Sequence, residues 1–292
     1  MKCSVKQPLL IIFGITLSWS LPVWAHQPVM DMAPRWQNGY GFQVRQESHR
    51  SDKLVSGESK VDNPLGRDNE VNTTWLEGIY TFKRELRLSL KVPYLDQQRT
   101  VIYDGSPIKQ SGKGLGDAVV GLLLKRYTNQ ATATGNIAIT PSIRLPTGST
   151  SNDYPVGDGS TDLGISFSAS WEKSDLYQYY DLFYWKNQKG RRGIKEGDEI
   201  GFDTNIGWHP YHNNLKNQGI FVMIDGSARY QERGHNAEGV TGGQRLSSGP
   251  VFVYYQGGMM FRAEYKYPLY EDLFGTQVSR GAEFNVGMGF VY

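Results

Sequence analysis

The segment "GAEFNVGMGFVY" (residues 281–292) decides the fold, because its apolar side chains recur at every second position. Apolar or aromatic residues occupy the even positions from Ala282 to Tyr292, and mostly small or polar residues lie between them. A period of two predicts a β-strand with one apolar face and one polar face. The alternation alone leaves open whether the apolar face meets a protein core or lipid.

The same alternation recurs along the chain. It is strongest in five further segments: residues 85–94, 136–145, 162–171, 199–208 and 259–269. Weaker versions occupy residues 39–50, 71–83, 117–127, 176–186, 218–231 and 247–256. The sequence therefore predicts an all-β protein of about twelve strands and no helix.

The connections between these strands alternate in character. Short ones fall near residues 84, 131, 173, 213 and 257, whereas the others are longer and rich in Gly, Pro, Asp and Ser. The longer set covers residues 51–70, 97–115, 147–160, 187–198, 232–246 and 270–281. Strict alternation predicts up-and-down antiparallel strands, and unequal turns at the two ends are typical of outer-membrane barrels.

The N-terminus has the pattern of a secretory signal peptide. Lys2 and Lys6 precede the apolar run "LLIIFGITLSWSL", and cleavage is expected near Ala25. The alternative is a membrane anchor, but the run is shorter than the roughly 20 residues that span a bilayer. We therefore expect residues 1–25 to be removed, residues 26–38 to form a periplasmic segment that could plug the lumen, and residues 39–292 to form the barrel.

Aromatic residues favour a lipid-facing apolar surface over a soluble β-sandwich or lipocalin-like barrel. They stand near strand ends on the apolar face, where the interfacial girdles of membrane barrels place them. The predicted girdle residues are Tyr94, Trp171, Trp208, Tyr267 and Tyr292. The expected partner is outer-membrane lipid, whereas a net charge of only +2 argues against nucleic acid.

Several motifs resemble one known family. "KVPY" (91–94), "GKGLGDAVVGLLLKRY" (112–127), "ITPSIRLPTGS" (139–149) and "GDGSTDLGISFSASWE" (157–172) are similar to the outer-membrane family called the putative meta-pathway of phenol degradation proteins. The resemblance runs from about Tyr40 to Tyr292. It implies an outer-membrane barrel that passes small, often hydrophobic or aromatic molecules, and it supplies no defined substrate site. Resemblance to outer-membrane barrels also implies that the C-terminal strand is recognised by the barrel-assembly machinery.

Charged side chains on the polar faces are the candidate functional residues. Those predicted to line the lumen are Arg45, Arg87, Lys91, Arg144, Asp162, Asp203, Arg229, Arg262, Glu264 and Lys266. Opposed acidic and basic rows could orient small solutes in a narrow pore. Alternatively, the charges could pair with one another and fill the interior, because a barrel of about twelve strands lies between filled and open sizes.

Two other kinds of chemistry bear on the function. After cleavage, His26, Met30 and Met32 would offer nitrogen and sulfur ligands suited to copper, although a plain extended segment explains them as well. The histidines of the mature chain do not fall beside an evident nucleophile, so the sequence does not predict an enzyme. We expect a cofactor-free channel or facilitator for a small-molecule solute; the alternative is a non-transporting barrel with a structural or copper-related role.

Overall fold

A computed structural model of the chain describes residues 36–130, 133–191, 195–213, 215–236 and 239–292. The predicted signal peptide and the predicted ligands His26, Met30 and Met32 lie outside these residues. Across the described ranges, no helix is long and apolar enough to cross a membrane.

Fifteen β-strands occur in the described residues. They are β1 (Tyr40–Ser51), β2 (Leu54–Gly57), β3 (Ser59–Val61), β4 (Asp68–Lys83), β5 (Leu86–Tyr103), β6 (Ser106–Leu115), β7 (Ala118–Gln130), β8 (Ala133–Leu145), β9 (Asp162–Lys173), β10 (Leu176–Lys186), β11 (Glu199–Asn213), β12 (Gln218–Asn236), β13 (Gly239–Gln256), β14 (Met259–Val278) and β15 (Ala282–Val291).

Twelve of these strands, all except β2, β3 and β6, close into one antiparallel barrel. Sequence neighbours pair around the ring, and β15 pairs with β1 from Gly41 opposite Val291 to Arg50 opposite Ala282. Pairing of β15 with β1 leaves neither strand with an unpaired edge, which a bilayer does not tolerate. The predicted twelve-stranded up-and-down barrel is confirmed.

The apolar faces of the strands point outward. In β15, Phe284 and Met288 are 51% and 47% exposed, whereas the intervening Asn285 is 5% exposed. The pattern is the same in β5, where Leu88 and Leu90 are exposed and Arg87 is buried. Burying apolar side chains in a central core is therefore the wrong interpretation of the alternation, and a lipid-facing surface is the right one.

Short turns join the strands at the barrel end that carries Tyr40 and Tyr292. The β4–β5 turn and the β9–β10 turn there contain two residues each, and Ser174 in the latter has φ of 53°. We call this the periplasmic end and the opposite end the extracellular end, following the turn asymmetry of outer-membrane barrels.

At the extracellular end, strands replace several predicted loops. β5 continues to Tyr103 and returns as β6 through Asp104 and Gly105, whose positive φ angles of 48° and 74° suit a tight hairpin turn. On this hairpin Lys113 donates a hydrogen bond to Asp96 at 2.6 Å, which raises the pKa of Lys113. The predicted loop at 232–246 is likewise mostly strand. These strands lack a continuous apolar face, so apolar alternation did not reveal them.

Candidate functional site

All ten predicted lumen residues lie on inward faces of the barrel strands. Eight of them line one or both of two cavities inside the barrel. The other two, Arg87 and Asp162, are buried near the periplasmic and extracellular ends respectively, with exposures of 1% and 0%. Their placement fits the expectation from the sequence, but a role in handling a solute stays a prediction.

The two cavities differ in chemistry. The larger, about 720 Å³, lies along β11–β15 and β1 and is lined by ten acidic and seven basic side chains. The smaller, about 560 Å³, lies along β4–β10 and is lined by three acidic and five basic side chains together with Ser, Thr and aromatic residues. Eight residues line both: Gln43, Arg45, Glu77, Lys91, Tyr179, Asp181, Asp203 and Arg229. The cavities therefore adjoin across this set of residues, which we call the shared belt.

Ion pairs organise the shared belt. Arg45 Nε donates to Glu77 at 3.1 Å, and Lys91 Nζ lies 3.8 Å from the other oxygen of the same carboxylate. Across the lumen, Arg229 donates to both oxygens of Asp203 at 2.8 Å each. Both bonds come from Nη2, and Arg229 Nε lies 3.6 Å from Glu199, so the guanidinium is held between two carboxylates. The belt is thus a set of oriented charges on opposite walls.

A second network joins β12 and β14 in the larger cavity. Glu264 accepts from Arg262 at 2.7 Å and lies 3.0 Å from Lys266, which also reaches Asp225 at 3.1 Å. The two interpretations of the lumen charges are therefore not exclusive: the charges pair with one another, and cavities remain between the pairs.

Three side chains at the extracellular end of β1 and β15 could hold a metal ion. Atoms of Glu47, His49 and Glu283 lie within 4.8 Å of one another. However, Arg280 contacts both carboxylates, at 3.0 Å for Glu47 and 2.8 Å for Glu283. The guanidinium already supplies the positive charge that a metal would bring, so this cluster is a paired ionic group.

Long connections pack at the extracellular mouth around Arg144. This guanidinium lies 3.1 Å from the buried Asp162, which also accepts from the Gln188 backbone N–H at 2.8 Å. The loop before β9 is held by Asp117, whose carboxylate accepts from the N–H groups of Gly148 and Asp158. These bonds tie the connection 146–161 and the segment that begins at Asn187 to the barrel wall.

An apolar cluster fills part of the lumen near the periplasmic end, and sequence reasoning missed it. It contains Tyr177, Phe221, Met223, Val251, Val253 and Met260. On β12, the run "IFVMI" (220–224) is apolar on both faces, so a test for alternation could not assign an inward apolar side. The lumen is therefore narrowed at this end by packed side chains.

His209 lies beside that cluster, in strand β11 and not in the predicted turn. Its ring stacks on Phe221 with centroids 4.0 Å apart, and its Nε2 lies 3.1 Å from the Tyr255 hydroxyl. Nδ1 lies 3.6 Å from the buried Glu172. The side chain is fully buried, which favours a role in packing the periplasmic end.

The predicted girdle residues all point outward at two levels. Trp171, Trp208 and Tyr292 stand near the periplasmic turns, with exposures of 44%, 63% and 61%. Tyr94 and Tyr267 are each eight residues beyond the first residue of β5 and β14. With tilted strands, eight residues correspond to about 20 Å along the barrel axis. This spacing is compatible with two interfacial rings, and contact with headgroups stays a prediction.

Comparisons with known proteins agree with this architecture. The family model described as "Putative MetA-pathway of phenol degradation" matches residues 67–267. No curated protein sequence matches the chain.

Among solved structures, an outer membrane channel from Pseudomonas putida F1 has a similar fold. The TM-score is 0.69 at 12% sequence identity, with 91% of this chain and 100% of that chain covered. At this identity the similarity concerns the fold alone. The NanC porin gives a TM-score of 0.47 at 12% identity over 85% of this chain and 98% of that one.

Proposed function

We propose that this chain, which belongs to the family described as "Putative MetA-pathway of phenol degradation", is a passive outer-membrane channel for small molecules. Membership confirms the resemblance drawn from the sequence motifs. The solute would pass through the lumen of the barrel, which would reside in the outer membrane.

The observation that carries the proposal is the pair of adjoining cavities. Together they are lined by residues of all twelve barrel strands and share eight lining residues. Polar and charged linings of this kind replace the hydration of a passing solute and set which solutes enter. A barrel that served only as a scaffold would gain stability by filling this space with packed side chains.

The solute class follows from size and lining. Cavities of about 560 and 720 Å³ accommodate a molecule of one or two rings. Trp75, Phe183 and Trp185 line the smaller cavity, which supports aromatic or partly hydrophobic solutes. Fixed walls with oriented charges favour movement down a concentration gradient, in either direction, as the mode of transport.

The location and processing belong to the same proposal. The outward apolar surface would face outer-membrane lipid, and the C-terminal strand would be the segment that the barrel-assembly machinery recognises. Residues 1–25 would be removed, residues 26–38 would remain periplasmic or enter the lumen, and residues 39–292 would form the barrel.

Single-channel conductance tests the channel function. The mature protein is reconstituted in planar lipid bilayers and its single-channel conductance in KCl is measured beside two variants. Ser168→Trp places an indole into the smaller cavity, which Ser168 lines, whereas Phe167→Trp changes the adjacent outward side chain. We expect Ser168→Trp to lower the conductance and Phe167→Trp to leave it unchanged. A folded wild-type barrel without conductance would contradict the proposal.

Liposome swelling tests the solute class. Vesicles that contain the mature protein are challenged with sugars, nucleosides and aromatic acids of matched osmolarity. Faster swelling with one-ring or two-ring solutes than with larger sugars is the expected result. Equal rates with empty vesicles for every solute would remove the transport function.

A further inference from the structure

The inward face of β10 forms an aromatic ladder with a carboxylate at its centre. The residues on this face are Tyr177, Tyr179, Asp181, Phe183 and Trp185, and all five line the lumen cavities. Residues that share one face of a strand are about 7 Å apart, so the ladder extends about 27 Å along β10. The other face of the same strand carries Leu182 and Tyr184, which are exposed outward.

Glycines on the neighbouring strands let the outer rungs lie against the wall. Gly164 of β9 is the register partner of Trp185, and a Cβ added there would come within 2.8 Å of the indole. Gly201 of β11 is the partner of Phe183, and a Cβ there would collide with the phenyl ring. The rings therefore occupy the space that a side chain at either glycine would take.

Each outer rung already carries a cation on its ring face. The Arg144 guanidinium lies 4.6 Å from the centroid of Trp185, and that of Arg229 lies 4.6 Å from the centroid of Phe183. Both distances are those of a favourable cation–π contact. Two positive groups thus follow the ladder from the extracellular end inward, one on each of the two outer rings.

The next rung inward is Asp181, and it differs from the other acids of the shared belt. Glu77 is paired with Arg45, and Asp203 with Arg229, whereas no described lysine, arginine or histidine lies within 4.0 Å of the Asp181 carboxylate. The Ser166 hydroxyl donates a hydrogen bond to this carboxylate, whereas the buried Oδ1 atom accepts none from the described residues.

The electrostatic surroundings of Asp181 also favour a positive ligand. Asp203 stands directly opposite on β11, and like charges on such cross-strand partners repel each other. Lys91 and Arg229 are the basic groups that face this position, and each is held by another carboxylate. Asp181 lines both cavities; the larger is lined by three more acidic than basic side chains, whereas the smaller is lined by two more basic than acidic ones. A cation at Asp181 would offset the repulsion between the Asp181 and Asp203 carboxylates.

We propose that Asp181, between Tyr179 and Phe183, is the specificity site of the lumen and selects small organic cations that carry an aromatic or methylated ammonium group. The carboxylate supplies the charge partner, and the Tyr179 ring supplies an aromatic face for a poorly hydrated cation, because the face of Phe183 already carries Arg229. The inference rests on the proposed channel function and adds the class of solute.

The experiment measures binding of three solutes to the purified mature protein by titration calorimetry. Benzyltrimethylammonium carries a permanent positive charge and a ring, tetramethylammonium has the charge without the ring, and benzenesulfonate has the ring with a negative charge. We expect benzyltrimethylammonium to bind about tenfold more tightly than benzenesulfonate, because its positive charge is attracted by the Asp181 carboxylate and the sulfonate is repelled by it. Tetramethylammonium should fall between them.

Two variants assign the effect. Asp181→Asn removes the negative charge and should weaken binding of benzyltrimethylammonium about tenfold, and it should also lower the K⁺ over Cl⁻ preference measured by reversal potential in a KCl gradient. Asp96→Asn is the matched control, because Asp96 lies on the β5–β6 hairpin outside both cavities and is 56% exposed. It should change neither quantity.

The outcomes separate the two proposals. If KCl conductance is normal but benzenesulfonate binds more tightly than benzyltrimethylammonium, or Asp181→Asn leaves binding unchanged, the cation site is wrong and the channel stands. If the wild-type barrel does not conduct at all, the channel proposal itself fails. Retained KCl conductance of the Asp181→Asn barrel shows that any loss of binding does not come from misfolding.

Discussion

The rings of Tyr40 and Tyr292 stack with centroids 5.5 Å apart where the barrel closes. The same two residues exchange backbone hydrogen bonds, from Tyr40 N to Tyr292 O at 2.9 Å and from Tyr292 N to Tyr40 O at 2.8 Å. Tyr292 is therefore fixed by both its backbone and its side chain at the periplasmic end of the seam between β15 and β1.

Truncating this side chain should weaken the seam. Tyr292→Ala removes a stacked aromatic pair, which contributes about 0.5–1.5 kcal/mol beyond the apolar area that it buries. We expect a lower free energy of unfolding in urea titrations of the vesicle-inserted protein. Tyr103→Ala is the control, because Tyr103 is 73% exposed at the tip of the β5–β6 hairpin and should leave stability unchanged.

Adjacent residues of β8 test which face meets lipid. Ile139 is 43% exposed on the outer surface, and Thr140 lines the smaller cavity. Ile139→Arg should destabilise the inserted barrel by about 2–4 kcal/mol, the cost of a guanidinium near the bilayer midplane. Thr140→Arg places the same group in the polar lumen and should cost much less. Equal losses in the two variants, measured by urea unfolding in vesicles, would contradict the assigned faces.

The adjacent tyrosines of β13 test the buried histidine group. Tyr255→Phe removes the hydroxyl that lies 3.1 Å from His209 Nε2 and should cost about 1 kcal/mol, as for a single buried hydrogen bond. Tyr254→Phe removes an exposed hydroxyl that donates to Gln256 and should have little effect. The free energies of unfolding of the two variants give the comparison. A larger loss for Tyr254→Phe would argue against structural importance of the His209 group.

Gly201, on the inward face of β11, should be needed to keep the lumen beside Phe183 open to solutes. Gly201→Ala would push the Phe183 ring toward the lumen, and overpacking of this kind costs about 1–3 kcal/mol. We therefore expect both lower stability and lower single-channel conductance. Gly78→Ala is the matched control on β4, since no heavy atom lies within 4 Å of the position that an added Cβ would take there. A conductance change in the control alone would refute this account.

The strands and their outward faces were predictable because side chains that face lipid must be apolar. Every second residue must be apolar wherever a strand crosses the bilayer, so Leu88, Phe284 and Met288 reveal their strands directly. Turn lengths then supplied the topology. The same reasoning placed the ten lumen charges on inward faces, since charge is excluded from the lipid-facing side.

The side chains that line the lumen were less predictable, because they meet water in some places and one another in others. Phe221 and Val253 point inward although both are apolar, and they do so because they pack against each other across strands. Tyr179, Phe183 and Trp185 were missed for the same reason, since β10 is aromatic on both faces. The pairings of Arg45 with Glu77 and Arg229 with Asp203 depend on strand register, which alternation does not define. The β5–β6 hairpin was missed because water meets both of its faces, and its strands therefore lack alternating apolar residues.

Closure through β1 and β15 makes the order of the strands around the ring independent of where the polypeptide is opened. Their ladder is an ordinary antiparallel one, with ten consecutive partners from Gly41–Val291 to Arg50–Ala282. A circularly permuted gene that links residue 292 to residue 40 through a short spacer, with new ends at the Asp104–Gly105 turn, would keep every ladder of the ring. The ring has twelve junctions between neighbouring strands. The backbone is interrupted at the junction of β15 and β1, and the same hydrogen-bonded ring would form if it were interrupted at another.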